Sequence, residues 1–294
     1  MRWLRTGLGV GDVLLATGIL RAWRRLHNQP VIVETRYPEL FQHNPYVRAI
    51  WRTDTRPNLT AKLFDHRFIW RVGNRVNHWF DKHLLKPTYP FPCRGKHLID
   101  AMAETLGIEL QPGERRPFLH LTDRERATQS WAHGWIAVQS SSTTYWTMNK
   151  HWIPGRMQQV VNEISAMGYA VVQLGAAQDD ALEGVKDLRG KTTLRESAAI
   201  LANVRLLIGL EGGLVHLARS VDTRAAVIYT GYTRPEETGY AENINLRDPN
   251  AGEGCWRRDP CEHCAESARW VTVERVLKAM GDALSKGPLS GKLK

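Results

Sequence analysis

Two kinds of segment are missing from this sequence of 294 residues. No apolar run approaches the roughly 20 residues that a membrane-spanning helix needs, and the N-terminus lacks the apolar core of a secretion signal. Cysteine is scarce: four residues in a chain of this length do not form a disulfide framework. These absences predict a cytoplasmic protein.

Acidic residues are too few to balance the basic ones. The formal net charge is +10, with 40 Lys and Arg against 30 Asp and Glu, and such an excess favours nucleic acid, an anionic membrane surface or a phosphorylated substrate. The basic residues and the 11 tryptophans are spread along the chain without a recognised nucleic-acid-binding module. We therefore expect no nucleic-acid partner. The alternative from a different functional class is a basic nucleic-acid-binding α/β protein.

The clearest motif lies in residues 206–218. Its first five residues are apolar without polar alternation, which predicts a strand buried on both faces. Gly212 and Gly213 then predict a tight turn, and Leu214 a helix whose unpaired N–H groups are suited to bind phosphate. Glu211, at the end of the strand, is placed to accept hydrogen bonds from sugar hydroxyls. An ordinary strand-to-helix turn explains this stretch equally well.

A second glycine loop follows the first predicted strand. Gly7, Gly9 and Gly11 precede Asp12 and a predicted helix over residues 13–26 with a broad apolar face. The spacing does not match the G-x-G-x-x-G pattern of dinucleotide sites. Asp12 therefore has two interpretations: an acid that complements the helix dipole, or a functional carboxylate at the carboxyl end of a strand, where open α/β sheets bind ligands.

Strands and helices alternate in both halves of the sequence, which predicts an α/β protein with parallel sheets. Between the halves, residues 110–126 contain proline and glycine and form the predicted domain junction. The length allows two domains with substantial cores. We expect one domain over residues 1–125 and a second over residues 126–294.

Two clusters allow both a functional and a purely structural interpretation. Arg67 and Arg71 lie four residues apart, so that on a helix they share a face, which is either solvated or meets an acidic acceptor. Cys255, Cys261, Cys264 and His263 offer the ligands of a tetrahedral zinc or iron site. A complete structural site normally shows a second pair of ligands at a clear spacing, so reduced cysteines in a loop are the alternative.

Several motifs in order resemble the family 9 glycosyltransferases, the group of ADP-heptose:lipopolysaccharide heptosyltransferases. They are GVGDVLLAT at residues 9–17, KHWIP at residues 150–154, GGLVHLA at residues 212–218 and TGYTRP at residues 230–235. The resemblance implies the GT-B architecture, in which two Rossmann-like domains with parallel sheets face a central cleft. The first domain would bind the acceptor and the second the nucleotide sugar.

The resemblance also implies residue roles. Asp12 takes the place of the catalytic base, which removes a proton from the acceptor hydroxyl as that oxygen attacks and inverts the anomeric carbon. Lys150 takes the place of the lysine that neutralises the leaving diphosphate, so that the chemistry requires no metal ion or other cofactor. The remaining expected contacts are Thr143, Thr144, Glu211, Gly212, Gly213, Leu214 and His216 for the nucleotide sugar, and Gly9, Gly11, Arg67 and Arg71 for the acceptor.

The activity that the resemblance implies is transfer of heptose from ADP-heptose to a hydroxyl of a lipopolysaccharide core or similar anionic glycan. Peripheral contact with the anionic inner face of the membrane fits the basic charge. Alternatives are a protein (autotransporter) heptosyltransferase, a group similar in carrying a cysteine-bound iron, and another nucleotide-sugar enzyme of the same fold, such as an epimerase. Asp12 and Lys150 argue against a catalytically inactive homologue.

Two features depart from the family pattern. Glu211 and Gly212 stand where the family usually has Asp followed by Ser or Thr, which lengthens the acid and removes a hydroxyl donor. The chain is also shorter than is typical, chiefly in the first domain. The first departure affects the prediction of the donor sugar, and the second affects the prediction of the acceptor site.

Overall fold

The computed structural model describes residues 2–6, 9–52, 84–85, 87–141, 147–287 and 289. Within these ranges the chain forms two sheets in which all strand pairs are parallel. The alternation of strands and helices in the sequence therefore predicts the sheet type correctly. Gly7, Arg67, Arg71, Thr143 and Thr144 lie outside the described residues.

Among the described residues, the first sheet has four strands in the order β3-β2-β1-β4. They are β1 (Arg2–Arg5), β2 (Val31–Thr35), β3 (Val47–Arg52) and β4 (Leu84–Leu85), with a 3-10 helix at Pro38–Phe41, and the helices that accompany them are α1 (Val10–His27) and α2 (Leu98–Glu104). The strand order changes direction at β1, which lies between β2 and β4. The segments that follow β1 and β4 therefore emerge side by side at the carboxyl edge, where α/β sheets form ligand sites.

The second sheet, as far as the structure describes it, has six strands in the order β10-β9-β8-β5-β6-β7. They are β5 (Ile136–Val138), β6 (Val171–Gln173), β7 (Lys186–Asp187), β8 (Leu206–Leu210), β9 (Ala225–Ile228) and β10 (Ile244–Leu246). Here the change of direction falls between β5 and β8. The same argument places a second ligand site where these two strands end.

Helices cover both faces of the second sheet. They are α3 (Asp123–Thr128), α4 (Arg156–Ala166), α5 (Leu194–Leu201), α6 (Gly213–Ser220), α7 (Pro235–Thr238), α8 (Glu262–Trp270) and α9 (Val273–Ser285), with 3-10 helices at Ser130–Ala132 and Met148–Lys150. In β5, Ile136 and Val138 belong to the core formed with α4 and α9, whereas Ala137 belongs to the core on the other face. Burial on both faces explains why the strands of this sheet read as apolar runs.

The core of the first sheet continues into the second across α1 and α6. Leu14 and Leu15 of α1 and Val215 and Leu217 of α6 are almost fully buried members of one apolar cluster. The two helices that begin at the two glycine loops therefore pack together between the sheets. None of the helices within the described ranges is long and apolar enough to cross a bilayer.

Candidate active site and cysteine cluster

The two glycine loops predicted from the sequence meet where α1 and α6 begin. A Cβ added to Gly213 would lie 2.8 Å from Val10 Cγ1, and a Cβ added to Gly11 would lie 3.3 Å from His216 Cδ2. A side chain at position 213 would force Val10 or the two helix ends to shift. The N-termini of two helices, with their unpaired N–H groups and positive dipole ends, therefore lie in contact.

Asp12 lies in the first turn of α1. Tyr89 Oη donates a hydrogen bond to Asp12 Oδ1 at 3.1 Å, and the N–H of Gly9 also donates to this carboxylate. Burial raises the pKa of Asp12 above its usual range, against the lowering effects of the Tyr89 hydrogen bond and the Lys150 charge. A carboxylate with a raised pKa is a stronger base, so this environment suits proton removal.

Lys150 and Glu211 form a largely buried ion pair. Lys150 Nζ lies 2.6 Å from Glu211 Oε2, and the side chains are 17% and 7% exposed. Lys150 Nζ also lies 5.0 Å from the centre of the Tyr232 ring, which adds a cation–π contact. The motifs predict that these two side chains contact different parts of a ligand, whereas the structure pairs them with each other. An ammonium has three donors, so Lys150 retains donors for a phosphate.

His216 is buried in the first turn of α6. Its Nδ1 lies 2.6 Å from Tyr240 Oη, and burial lowers its pKa to about 3, with smaller contributions from His97 and Lys150. The imidazole is therefore neutral at physiological pH. It packs beneath Gly11 and links the first glycine loop to Tyr240 in the second half of the chain.

The strand order explains which side chains come together. Asp12 follows β1 and Tyr89 follows β4, the neighbouring strand of the first sheet; Lys150 follows β5 and Glu211 follows β8, which are neighbours in the second. Asp12 and Lys150 then interact electrostatically across the junction of the sheets. Sequence reasoning misses Tyr89, which lies after a segment of weak periodicity, and the only available signal for Tyr232 is its place in the TGYTRP motif.

The cysteine segment, residues 255–264, folds into a compact ligand set. Cys255 Sγ lies 3.1 Å from Cys264 Sγ and 3.7 Å from Cys261 Sγ, and all four candidate ligand atoms lie within 4.8 Å of one another. Sulfur atoms around a tetrahedral zinc stand about 3.8 Å apart, given zinc–sulfur bonds of about 2.3 Å. The segment is not a plain loop, because Cys261 precedes α8 and Cys264 lies in its first turn.

His263 completes this ligand set. Its Nε2 lies 2.6 Å from the carbonyl oxygen of Ala251, whereas its Nδ1 is buried and has no hydrogen-bond partner among the residues that the structure describes. A ligating histidine usually donates its other ring N–H to a carbonyl or carboxylate, which orients the ring toward the metal. Hydrogen bonds within the cluster, chiefly from Cys264, lower the pKa of the Cys255 thiol and favour the thiolate that binds metal. The residues therefore fit a zinc or iron site.

Comparisons with known proteins identify the family. The sequence model of glycosyltransferase family 9 (heptosyltransferase) matches residues 64–265, more than half of the chain. A comparison with curated protein sequences found no significant match. The family match includes Lys150, Glu211 and the cysteine segment.

Solved structures show the same fold at low identity. A family 9 glycosyl transferase from Veillonella parvula is 17% identical with a TM-score of 0.72 over 97% of both chains. The ADP-heptose lps heptosyltransferase II of E. coli is 15% identical with a TM-score of 0.70 over 97% of this chain and 99% of the other. The iron-containing dodecameric glycosyltransferase TibC from enterotoxigenic E. coli is 15% identical with a TM-score of 0.69 over 97% of this chain and 76% of the other.

These likenesses confirm the predicted α/β fold with two parallel sheets in the GT-B arrangement. The family model covers more than half of the sequence, including the second glycine loop at α6. The chain belongs to glycosyltransferase family 9, the heptosyltransferase family.

Proposed function

We propose that this glycosyltransferase moves heptose from ADP-heptose to an acceptor hydroxyl with inversion at the anomeric carbon. The observation that carries the proposal is the junction of the two glycine loops, where the basic carboxylate of Asp12 and the ammonium of Lys150 interact. ADP-heptose is favoured as donor because TibC, a structure with the same fold, has been solved with ADP-D-beta-D-heptose.

Asp12 acts as the general base in this proposal. It takes the proton of the acceptor hydroxyl while that oxygen forms a bond to the anomeric carbon from the face opposite the diphosphate. The bond between the anomeric carbon and the diphosphate oxygen breaks, and ADP leaves with the electron pair. Burial supports this role because the raised pKa of Asp12 strengthens the base, and the hydrogen bond from Tyr89 supports it because that bond fixes one of the carboxylate oxygens.

Lys150 and the start of α6 stabilise the charge that grows on the leaving diphosphate. The ammonium is fixed by Glu211 before the ligand arrives, so little reorganisation is needed in the transition state. The N–H groups near Gly212, Gly213 and Leu214 supply further donors at a helix N-terminus, and Thr143 and Thr144 supply hydroxyls. The second carboxylate oxygen of Glu211 accepts a hydrogen bond from the sugar. Charge neutralisation in this scheme uses no metal ion.

Acceptor and donor divide between the two halves of the chain. We assign the acceptor to residues 1–125, with Gly9, Gly11, Arg67 and Arg71 among its contacts, and the nucleotide sugar to residues 126–294. A lipopolysaccharide core is the first candidate acceptor, since the E. coli structure with the same fold is named an ADP-heptose lps heptosyltransferase. The net charge of +10 supports work in the cytoplasm at the anionic inner face of the membrane.

Transfer to a protein acceptor is the second candidate, and the cysteine cluster favours it. The autotransporter-modifying members that this sequence resembles carry a cysteine-bound iron, and TibC is described as iron-containing. Cys255, Cys261, Cys264 and His263 would hold a zinc or iron ion here. When bound, the ion would cross-link the cysteine segment and would be structural.

A thermal-shift panel tests the donor assignment. ADP, UDP, GDP, CDP, TDP and a short duplex DNA are added separately, because a ligand that binds only the folded state raises the melting temperature. We expect a selective shift with ADP, followed by turnover of ADP-heptose. A shift with another diphosphate would change the donor, and a response to DNA alone would contradict the transferase assignment.

A further inference from the structure

Asn149, the residue before Lys150, is held by the cysteine segment. Its side chain is buried, and its Nδ2 donates hydrogen bonds to the carbonyl oxygens of Arg257 at 3.0 Å and Asp259 at 2.7 Å. Its Oδ1 accepts a hydrogen bond from the N–H of Cys261 at 2.9 Å. One amide therefore uses both donor hydrogens and its acceptor on the backbone of the cysteine segment.

The backbone of the Lys150 turn is fastened to the same place. Thr147 Oγ1 accepts the N–H of Asn149 at 3.1 Å and also lies 3.2 Å from the carbonyl oxygen of Arg257, to which it donates. The hydroxyl of Thr230 donates to the carbonyl oxygen of Asn149. The 3-10 turn at Met148–Lys150 is thus tied at both its start and its middle.

The aromatic partner of Lys150 is tied to the cysteine segment as well. The N–H of Trp256 donates to the carbonyl oxygen of Tyr232 at 3.1 Å, and the N–H of Cys255 donates to the carbonyl oxygen of Gly231 at 2.9 Å. The Tyr232 ring is the face that Lys150 Nζ approaches. Both the backbone and the ring that position the ammonium therefore depend on the shape of the cysteine segment.

We propose that Asn149 is a positioning residue that couples the cysteine cluster to the diphosphate site through Lys150. The carbonyl groups that Asn149 holds belong to residues 257 and 259, which lie inside the loop between the candidate ligands Cys255 and Cys261. A metal that joins those two thiolates closes this loop and reduces its conformational freedom. Metal binding then fixes Asn149, and Asn149 fixes Lys150.

Linkage makes the coupling reciprocal. If a metal at the cysteine cluster strengthens binding of ADP, then ADP strengthens binding of the metal by the same factor. A purely structural asparagine would lower the melting temperature on substitution but would leave this factor unchanged. The inference rests on the proposed function, because it takes Lys150 to be the diphosphate-binding group.

The test compares Asn149→Ala with a matched control, Asn203→Ala. Asn203 Nδ2 also donates to two backbone carbonyl oxygens, those of Arg126 at 3.0 Å and Ala199 at 2.8 Å, neither of which belongs to the cysteine segment. Calorimetry measures the Kd of ADP for each protein loaded with Zn²⁺ and after treatment with a chelator. Zinc content is measured in parallel. The Asn149→Ala variant should retain zinc because the four candidate ligands of the cysteine cluster are unchanged.

We expect the zinc-loaded wild type and Asn203→Ala to bind ADP about tenfold more tightly than their chelated forms. Asn149→Ala should bind ADP about tenfold more weakly than the loaded wild type, with equal affinity in both metal states. Asn149→Asp, which loses the donors and keeps the acceptor, should behave like Asn149→Ala. If chelation unfolds the protein, only the zinc-loaded proteins are compared. Equal ADP affinity of zinc-loaded Asn149→Ala and Asn203→Ala then overturns the proposal.

Two outcomes separate the inference from the function beneath it. In the first outcome, the wild type binds ADP and the ADP affinity of Asn149→Ala depends on zinc as in the wild type. This result overturns the coupling and leaves the transferase assignment unchanged. A zinc-loaded wild type that binds no ADP overturns the proposed donor, and the coupling falls with it.

Discussion

Tyr89 Oη donates a hydrogen bond to Asp12 Oδ1 across 77 residues of sequence. The two residues follow β4 and β1, which are neighbours in the first sheet, so the strand order creates the contact. The hydrogen bond lowers the pKa of Asp12 against the larger effect of burial. It also fixes one carboxylate oxygen, and a carboxylate with about four lone-pair sites retains acceptor capacity for a substrate hydroxyl.

Replacing Tyr89 with Phe should therefore make Asp12 harder to ionise. Loss of the hydrogen bond raises the pKa of Asp12, and a general base acts only when deprotonated, so the acidic limb of the kcat/KM profile moves to higher pH. On the acidic limb we expect kcat/KM to fall about tenfold for each unit by which the pKa of Asp12 rises. Tyr169→Phe, whose ring lies beneath Arg205 and away from the site, is the control. An unshifted acidic limb would refute the role of Tyr89.

The ion pair between Lys150 and Glu211 predicts a stability effect that is separable from catalysis. Lys150→Met leaves the buried Glu211 carboxylate without its cation, which should lower the free energy of unfolding by about 3 kcal/mol. Lys150→Met with Glu211→Gln removes both charges and should recover most of that loss. Urea denaturation measures each value. A double variant as unstable as the single one would show that the pair is not the cause.

The contact between the glycine loops predicts that a smaller side chain at position 10 compensates for a larger one at position 213. Gly213→Ala places a methyl group against Val10, where a Cβ would stand 2.8 Å from Cγ1, and should destabilise the fold by about 1–3 kcal/mol and weaken ADP binding. Val10→Ala in the same chain makes room and should restore much of both. Denaturation and ADP titration report the two effects. Failure of the second substitution to restore either would argue against direct contact.

Buried neutral histidines predict a loss of stability in acid. Burial lowers the pKa of His97 to about 4 and of His216 to about 3, from a usual 6.5. The unfolded chain therefore binds more protons below pH 6.5, so the free energy of unfolding falls as the pH drops from about 6.5 toward 4. His97→Asn keeps an acceptor for the N–H of Ile99 and removes one titrating group. The variant should lower the difference in bound protons between the unfolded and folded states by about one, and so flatten the dependence of the free energy of unfolding on pH. An unchanged slope would contradict the assignment of His97 as a buried neutral histidine.

The sequence predicts the elements whose physics is local. The Thr193 and Glu196 spacing predicts a capping box at the start of α5, and the structure shows both of its hydrogen bonds. The apolar run at residues 206–210 is β8, and α6 begins at Gly213, one residue earlier than predicted. In these cases the deciding interactions lie within a few residues of one another.

Elements and contacts that depend on distant parts of the chain are not predictable in this way. The strands β7 and β10 are two and three residues long, too short for an apolar period, and α8 has no strong helix signal beside its cysteines. The pairing of Lys150 with Glu211 follows from the adjacency of β5 and β8. A sequence pattern marks each residue as functional and does not state which residue it meets.

Asp12→Asn in a transfer assay tests the central claim most directly. The variant is compared with the wild type for ADP release from ADP-heptose with a heptose-free lipopolysaccharide core as acceptor, and for ADP affinity by calorimetry. We predict that ADP release falls at least a hundredfold, the usual scale for loss of a general base, while the Kd for ADP changes less than threefold. Turnover by Asp12→Asn at the wild-type rate would contradict the assignment of Asp12 as the base.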